Sequence, residues 1–211
     1  MMIKSRLGNT TVLALLLLLV PVPSGATDIT LLVGLQHSDD FEIAENAANL
    51  SAEPGDDVSV DDGLALSLAV DFELENLPDS RIGFYLSHHS TEIDSAAGLD
   101  NPDLDITHLH FTAMNYYPNG KWAPFVLAGI GAGYFSPGDS SLKSSTRFSA
   151  QLATGANYTI SDNLYLRLEA RWLPTFFNTG SAGICSGGCT IALQSETYSQ
   201  FQANIGLQYR F

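Results

Sequence analysis

Apolar and polar residues alternate with a period of two along most of this chain. From Leu64 the residues Leu64, Leu66, Leu68, Val70, Phe72 and Leu74 interleave with Ala65, Ser67, Ala69, Asp71, Glu73 and Glu75. One set is large and apolar; the other is small, then acidic. Leu164, Leu166, Leu168, Ala170 and Trp172 stand in the same way against Tyr165, Arg167, Glu169 and Arg171. Phe148, Ala150, Leu152, Ala156 and Tyr158 alternate with Arg147, Ser149, Gln151, Gly155 and Asn157, and Phe201 to Phe211 repeats the pattern against Gln200 to Arg210. Alternation at 180° per residue predicts β-strands with two chemically distinct faces.

Eight such segments are expected, near 28–36, 63–75, 81–89, 105–117, 124–135, 146–158, 164–173 and 197–211. Several run about 9–13 residues, whereas strands of globular proteins cluster near 5–6. The connections sort by length. Those after the second, fourth and sixth segments are short (Asn76–Ser80, Pro118–Ala123, Thr159–Asn163), and those after the first, third, fifth and seventh are long. Short turns at one end and long loops at the other belong to a transmembrane barrel whose apolar face meets lipid and whose polar face fills the lumen. Closing the sheet also removes the unpaired edges that lipid does not tolerate. The expectation is all-β: an eight-stranded antiparallel transmembrane up-and-down β-barrel over residues 27–211, monomeric, with a polar, plugged lumen.

The first 26 residues read differently. A basic start with Lys4 and Arg6 leads into the apolar run Val12–Val20, closed by Pro21 and Pro23 and then Ser24-Gly25-Ala26. Basic, apolar and small-residue regions in that order form a secretory signal peptide, with Thr27 as the expected mature start. The run is shorter than the ~20 residues a membrane helix needs. Taking Lys4 and Arg6 off the nine basic residues leaves seven against 23 acidic ones, a net charge of −16. Nucleic acid is thereby excluded as a phosphate-bound partner. Cys185 and Cys189 frame Ser186-Gly187-Gly188. Two soft ligands are too few for structural zinc. In an oxidising compartment the pair reads as a small disulfide ring, with two free thiols as the alternative.

Two stretches carry a family resemblance. Tyr209-Arg210-Phe211 resembles the aromatic C-terminal signal that bacterial outer-membrane proteins present to their assembly machinery, through Tyr209 and Phe211. Ala123-Pro124-Phe125 through Gly129, Gly131, Gly133 and Tyr134 resembles the proline-initiated, glycine-rich strand of small OmpW-like and OmpA-like barrels. The resemblance implies an eight-stranded barrel in the outer membrane of a Gram-negative bacterium. It implies no single function, since such barrels serve as anchors, adhesins, narrow channels and enzymes.

Four groups of residues carry candidate chemistry. Asp71, Glu73 and Glu75 face inward with Arg81, Arg147, Arg167, Glu169 and Arg171; in an eight-stranded lumen these must pair, because an unpaired buried charge is costly. The expectation is a self-neutralising plug, and the alternative is a polar path opened when pairs rearrange. His89 on the third segment and His108 and His110 on the fourth share the inward face of one hairpin near the outer rim, where three imidazoles can hold zinc, copper or nickel, or stand as solvated rim histidines. His88 and Ser90 share the outward face, and His-x-Ser is similar to the catalytic pair of outer-membrane lipid A deacylases, although Thr91 stands where that family has asparagine. A histidine beside a serine makes a nucleophile only if a carboxylate orients the base. Lastly, His37–Asp62 holds nine carboxylates and no lysine or arginine, and Glu92, Asp94, Asp100 and Asp103 follow the third segment. Carboxylate clusters attract hard divalent cations, which outside the cell bridge lipopolysaccharide phosphates; the plainer reading is a solvated acidic loop. No cofactor is expected. The leading function is a structural or surface-interaction role in the cell envelope, ahead of a narrow channel for small solutes and a lipid-modifying enzyme.

Overall fold

A computed structural model describes residues 27–38, 41–42, 57–58, 62–92, 103–137, 144–176 and 197–211. Eight long strands form it: β1 (Thr27–Ser38), β2 (Gly63–Leu74), β3 (Leu77–Glu92), β4 (Asp103–Tyr116), β5 (Trp122–Pro137), β6 (Ser145–Thr159), β7 (Leu164–Phe176) and β8 (Thr197–Arg210). Each pairs antiparallel with its sequence neighbours, and β1 pairs with β8, so the sheet closes on itself. A further two-residue ladder joins Phe41–Glu42 to Asp57–Val58. Among the described residues there is no helix.

The alternation becomes the two faces of the wall. Leu31, Leu35, Leu66, Ile130 and Leu207 are exposed, while their neighbours Thr30, Gln36, Ser67 and Gln208 are buried. Leu66 is 65% exposed and Ser67 2%. A soluble protein would reverse this arrangement; a barrel in lipid requires it. Trp122 and Tyr158 lie against each other, centroids 4.9 Å apart, beside the β4–β5 turn, and Tyr209 meets Phe211 at 4.8 Å at the same end. Trp172 and Phe201 stack at 6.5 Å towards the other end. Aromatic residues at both ends of an apolar band mark the two membrane interfaces.

The turns at the short-connection end are tight for local reasons. Asn119 and Trp122 exchange backbone hydrogen bonds across Gly120-Lys121, and Gly120 takes φ 64°, a left-handed conformation that glycine adopts without a Cβ clash. The β2–β3 connection is tighter than the sequence indicates. Leu74 pairs with Leu77 and only Glu75-Asn76 turn, so Leu77–Ser80 extend β3 instead of forming a loop. Phe211 N donates to Thr27 O at 3.0 Å, which ties the last residue to the first strand.

The lumen is not uniformly polar, contrary to the expectation. Leu104, Ile106, Phe135 and Tyr198 form a buried apolar cluster towards the loop end, and Met114, Tyr116, Phe125, Leu127 and Ala153 form another towards the turn end. The charges lie between and below these clusters. The physical reason is volume: inward positions of a narrow barrel are packed like a core, and apolar side chains fill space with no polar group to satisfy.

Candidate functional site

The inward charges assemble into two quartets, each electrically neutral. In the first, Arg167 and Arg171 on β7 hold Glu169 between them. Arg167 donates to Glu169 Oε2 at 2.8 Å and Arg171 to Oε1 at 2.5 Å. Residues two apart on a strand point to the same face, which brings all three together. Arg167 also lies 3.8 Å from Asp71 on β2, across the barrel. Arg171 donates to Gln151 on β6, and Asn204 on β8 donates to Glu169 at 3.3 Å. All four charged groups are buried.

The second quartet lies near the turn end. Arg81 on β3 reaches Glu73 at 2.8 Å and Asp28 at 3.3 Å. Arg210 on β8 meets Asp28 at 2.7 and 3.0 Å. Asp28 and Arg210 were not among the residues singled out from sequence, yet their parity was readable. Asp28 alternates with Ile29, Leu31 and Val33, and Arg210 with Tyr209 and Phe211. Both lie inside expected segments, 28–36 and 197–211, on the polar parity.

Aromatic rings complete the filling. The Arg171 guanidinium lies 3.6 Å from the Tyr85 ring centroid and that of Arg167 4.3 Å from Phe125. A planar cation on a ring face is attracted by the ring quadrupole and also fills space. A hydrogen-bonded chain rises from there. The Tyr85 hydroxyl donates to Gln202, Gln202 to Gln36 at 2.7 Å, and the Gln36 amide to His89 Nδ1 at 3.2 Å.

Several expected positions differ. Glu75 does not join the inward ladder: it sits in the β2–β3 turn, exposed, because the strand ends one residue earlier than the alternation. Arg147 stands half-buried towards the loop end of β6, opposite Gly133, away from both quartets. His89, His108 and His110 are all inward and buried, but they do not converge. His89 lies against Gly63 on β2 while His108 lies against Gly133 on β5. His108 stacks on His110 at 5.6 Å, and His110 bonds Ser149 at 3.0 Å. Among the described residues no group of three candidate ligands can hold a metal. The bare inward faces of Gly131 and Gly133 make the room these rings use; a Cβ at either would meet His110 or His108.

On the outward face, His88 and Ser90 come together with two residues of β4. Ser90 pairs with Asp105 and His88 with Thr107 in register. Ser90 Oγ donates to Asp105 at 2.5 Å; His88 Nδ1 bonds Thr107 Oγ1 at 3.0 Å, and its Nε2 is 3.9 Å from Asp105. The carboxylate that sequence did not place is thus Asp105. It engages the serine directly, so the serine proton is committed to the carboxylate and not to the imidazole. That differs from the base-to-nucleophile contact of a hydrolytic triad. The Cys185/Cys189 pair, residues 1–26 and most of the acidic loop lie outside the described residues. His37 bonds Asp62 at 2.7 Å where that loop leaves and rejoins the barrel.

A closed antiparallel sheet with apolar residues outside and charges sealed inside is a transmembrane β-barrel. The chain belongs to the outer membrane protein beta-barrel domain family, whose model matches residues 10–211, and this locates it in the outer membrane of a Gram-negative bacterium. Its fold is similar to that of Neisserial surface protein A (12% identity, 89% of this chain and 98% of that one, TM-score 0.56). It is also similar to the outer membrane protein OprG of Pseudomonas aeruginosa (15% identity, 89% and 96%, TM-score 0.56). At these identities the likeness concerns the fold alone. No curated protein matches the chain by sequence.

Proposed function

We propose that this protein is an ion-tight envelope component: a monomeric barrel that anchors acidic outer loops and serves structure or surface interaction, not conduction. The observation that supports this most is the Arg167–Glu169–Arg171 triad with Asp71, buried across the middle of the lumen and backed by Tyr85 and Phe125. Opening a path for ions requires parting pairs in a low-dielectric interior. Leaving one buried charge unpaired there costs about 3–5 kcal/mol. The narrow-channel reading needs that rearrangement, and the hydrolytic reading needs a His88–Ser90 contact in place of the Ser90–Asp105 bond.

In this reading residues 1–26 are removed on export, and the assembly machinery takes the Tyr209/Phe211 end. The acidic loops face the lipopolysaccharide surface, with divalent cations as the bridge. Cys185 and Cys189 close a ring outside the membrane, so neither thiol is alkylated in intact cells until a reductant is added. The deciding experiment is planar-bilayer recording of the refolded full-length barrel. The expected trace shows no unitary steps in 1 M potassium chloride; reproducible steps that vanish on heat denaturation would refute the sealed lumen.

A further inference from the structure

The apolar band around the barrel is uneven. On β7 it runs through five outward positions, Leu164 to Trp172, and on β8 through Phe201 to Phe211. On the β3–β4 hairpin it holds only three rows. Below them Ser80 donates to Asn115 at 2.8 Å; above them His88 bonds Thr107. Those two polar rows are eight residues apart in both strands. Eight residues at ~3.3 Å span about 26 Å along a strand, and roughly 20 Å in depth at a tilt near 40°. The apolar band of outer-membrane barrels is about 25 Å tall. On this side the His88–Thr107 row therefore stands at the edge of the apolar band, and the Ser90–Asp105 row, one step further out, at the headgroup level.

We propose that His88, Ser90, Asp105 and Thr107 form a binding site for the sugar headgroup of an outer-leaflet glycolipid. The chemistry selects that class. Two hydroxyls, an imidazole and a carboxylate offer donors and acceptors suited to sugar hydroxyls and amide N–H groups. The full charge among them is negative, so a phosphate is not the group bound. The Ser90–Asp105 and His88–Thr107 bonds fix the four side chains across two strands, so little rotamer freedom is lost on binding. His88 and Asp105 remain open to the surroundings, their side chains 55% and 52% exposed. Directly below, Leu86 and Leu109 pair on the same outward face, where the lipid's acyl chains lie. This deepens the surface-interaction reading without depending on whether the lumen conducts.

The test uses the refolded full-length barrel in detergent micelles, titrated with lipopolysaccharide of minimal sugar length and, separately, with phosphatidylglycerol and phosphatidylethanolamine. Bound lipid is counted by native mass spectrometry. The wild-type barrel should retain the glycolipid in preference to both phospholipids. Asp105→Asn combined with Ser90→Ala should weaken that retention about tenfold, the worth of one charge-assisted hydrogen bond. Thr107→Ala alone should weaken it less, and Thr146→Ala, outward on β6, should leave it unchanged. Heat-modifiable gel mobility verifies closure of each barrel, and Thr107→Ala carries the test if the double variant does not close. Unchanged retention in a closed double or Thr107 variant, or equal retention of a phospholipid, overturns the proposal. So does loss of an acyl chain from the bound glycolipid that requires His88, since the cluster would then be hydrolytic.

Discussion

Arg210 lies directly opposite Asp28 across the seam where the last strand meets the first, and its guanidinium holds that carboxylate through two hydrogen bonds of 2.7 and 3.0 Å. Asp28 is fully buried and also receives Arg81 at 3.3 Å. The seam is the contact of greatest sequence separation in the barrel, and ordering it costs the most loop entropy. An ion pair placed there ties closure to one register of β1 against β8.

Asp28→Asn should therefore leave two guanidinium groups short of their partner at the seam. We expect a loss of about 3–5 kcal/mol, the cost of breaking a buried pair from one side. Urea unfolding in micelles, followed by tryptophan fluorescence, measures it. A change within 0.5 kcal/mol, the usual size of an inconsequential surface substitution, would mean that the seam does not rely on this pair.

Glu169→Gln removes the one carboxylate, among the described residues, that both Arg167 and Arg171 touch directly. The barrel should unfold at markedly lower urea than the wild type. Arg167→Ala should destabilise it as well while leaving bilayer conductance at the baseline, because Met114, Phe125 and Tyr116 still fill the turn end. A stable Arg167→Ala barrel that passes ions would assign the arginine to gating instead of packing.

Leu68 is the middle of the five outward positions Leu64 to Phe72, and Ala69 beside it faces the lumen, 4% exposed. An arginine on the lipid face at mid-depth costs about 2–4 kcal/mol. Leu68→Arg should lower the folded yield in lipid vesicles well below that of Ala69→Ser. Equal yields would place Leu68 away from the bilayer centre.

Gly120 has open space around it, since a Cβ there would meet nothing within 4 Å. Its constraint is purely conformational: φ 64° disfavours any L side chain by roughly 1–2 kcal/mol. Gly120→Ala should thus lower the unfolding free energy by that amount, and the urea midpoint with it, with no change in the near-ultraviolet spectrum of the folded barrel. A midpoint equal to the wild type would show that the turn re-forms in another geometry at no cost.

Much of this architecture is written in a single local rule. Alternation decides which residues of a strand share a face, because successive side chains of an extended chain point to opposite sides. The eight strands, the lipid-facing leucines and the inward sets on β2, β3, β6 and β7 follow from it with no tertiary information. Its failures come where that rule stops. Glu75 obeys the alternation on paper, but a turn two residues long ended the strand before it. The apolar stretch of β5 carries no alternation, so that Phe125, Leu127 and Phe135 face inward was decided by pairing register alone.

Sequence by itself determined the class of fold and, in every strand that alternates, the face of each residue, since both depend on neighbours one or two positions away. It also determined the inventory of charges that a narrow lumen must neutralise. Partnership was decided only by the tertiary structure. Arg167 reaches Asp71 across the barrel, Asp28 gathers Arg81 and Arg210 from two other strands, Asp105 comes to Ser90 from the next one, and His89 and His108 turn towards opposite neighbours. Each of these pairings depends on how far strands are staggered when the sheet closes. Stagger is a property of the whole ring of hydrogen bonds, and no segment of the chain contains it.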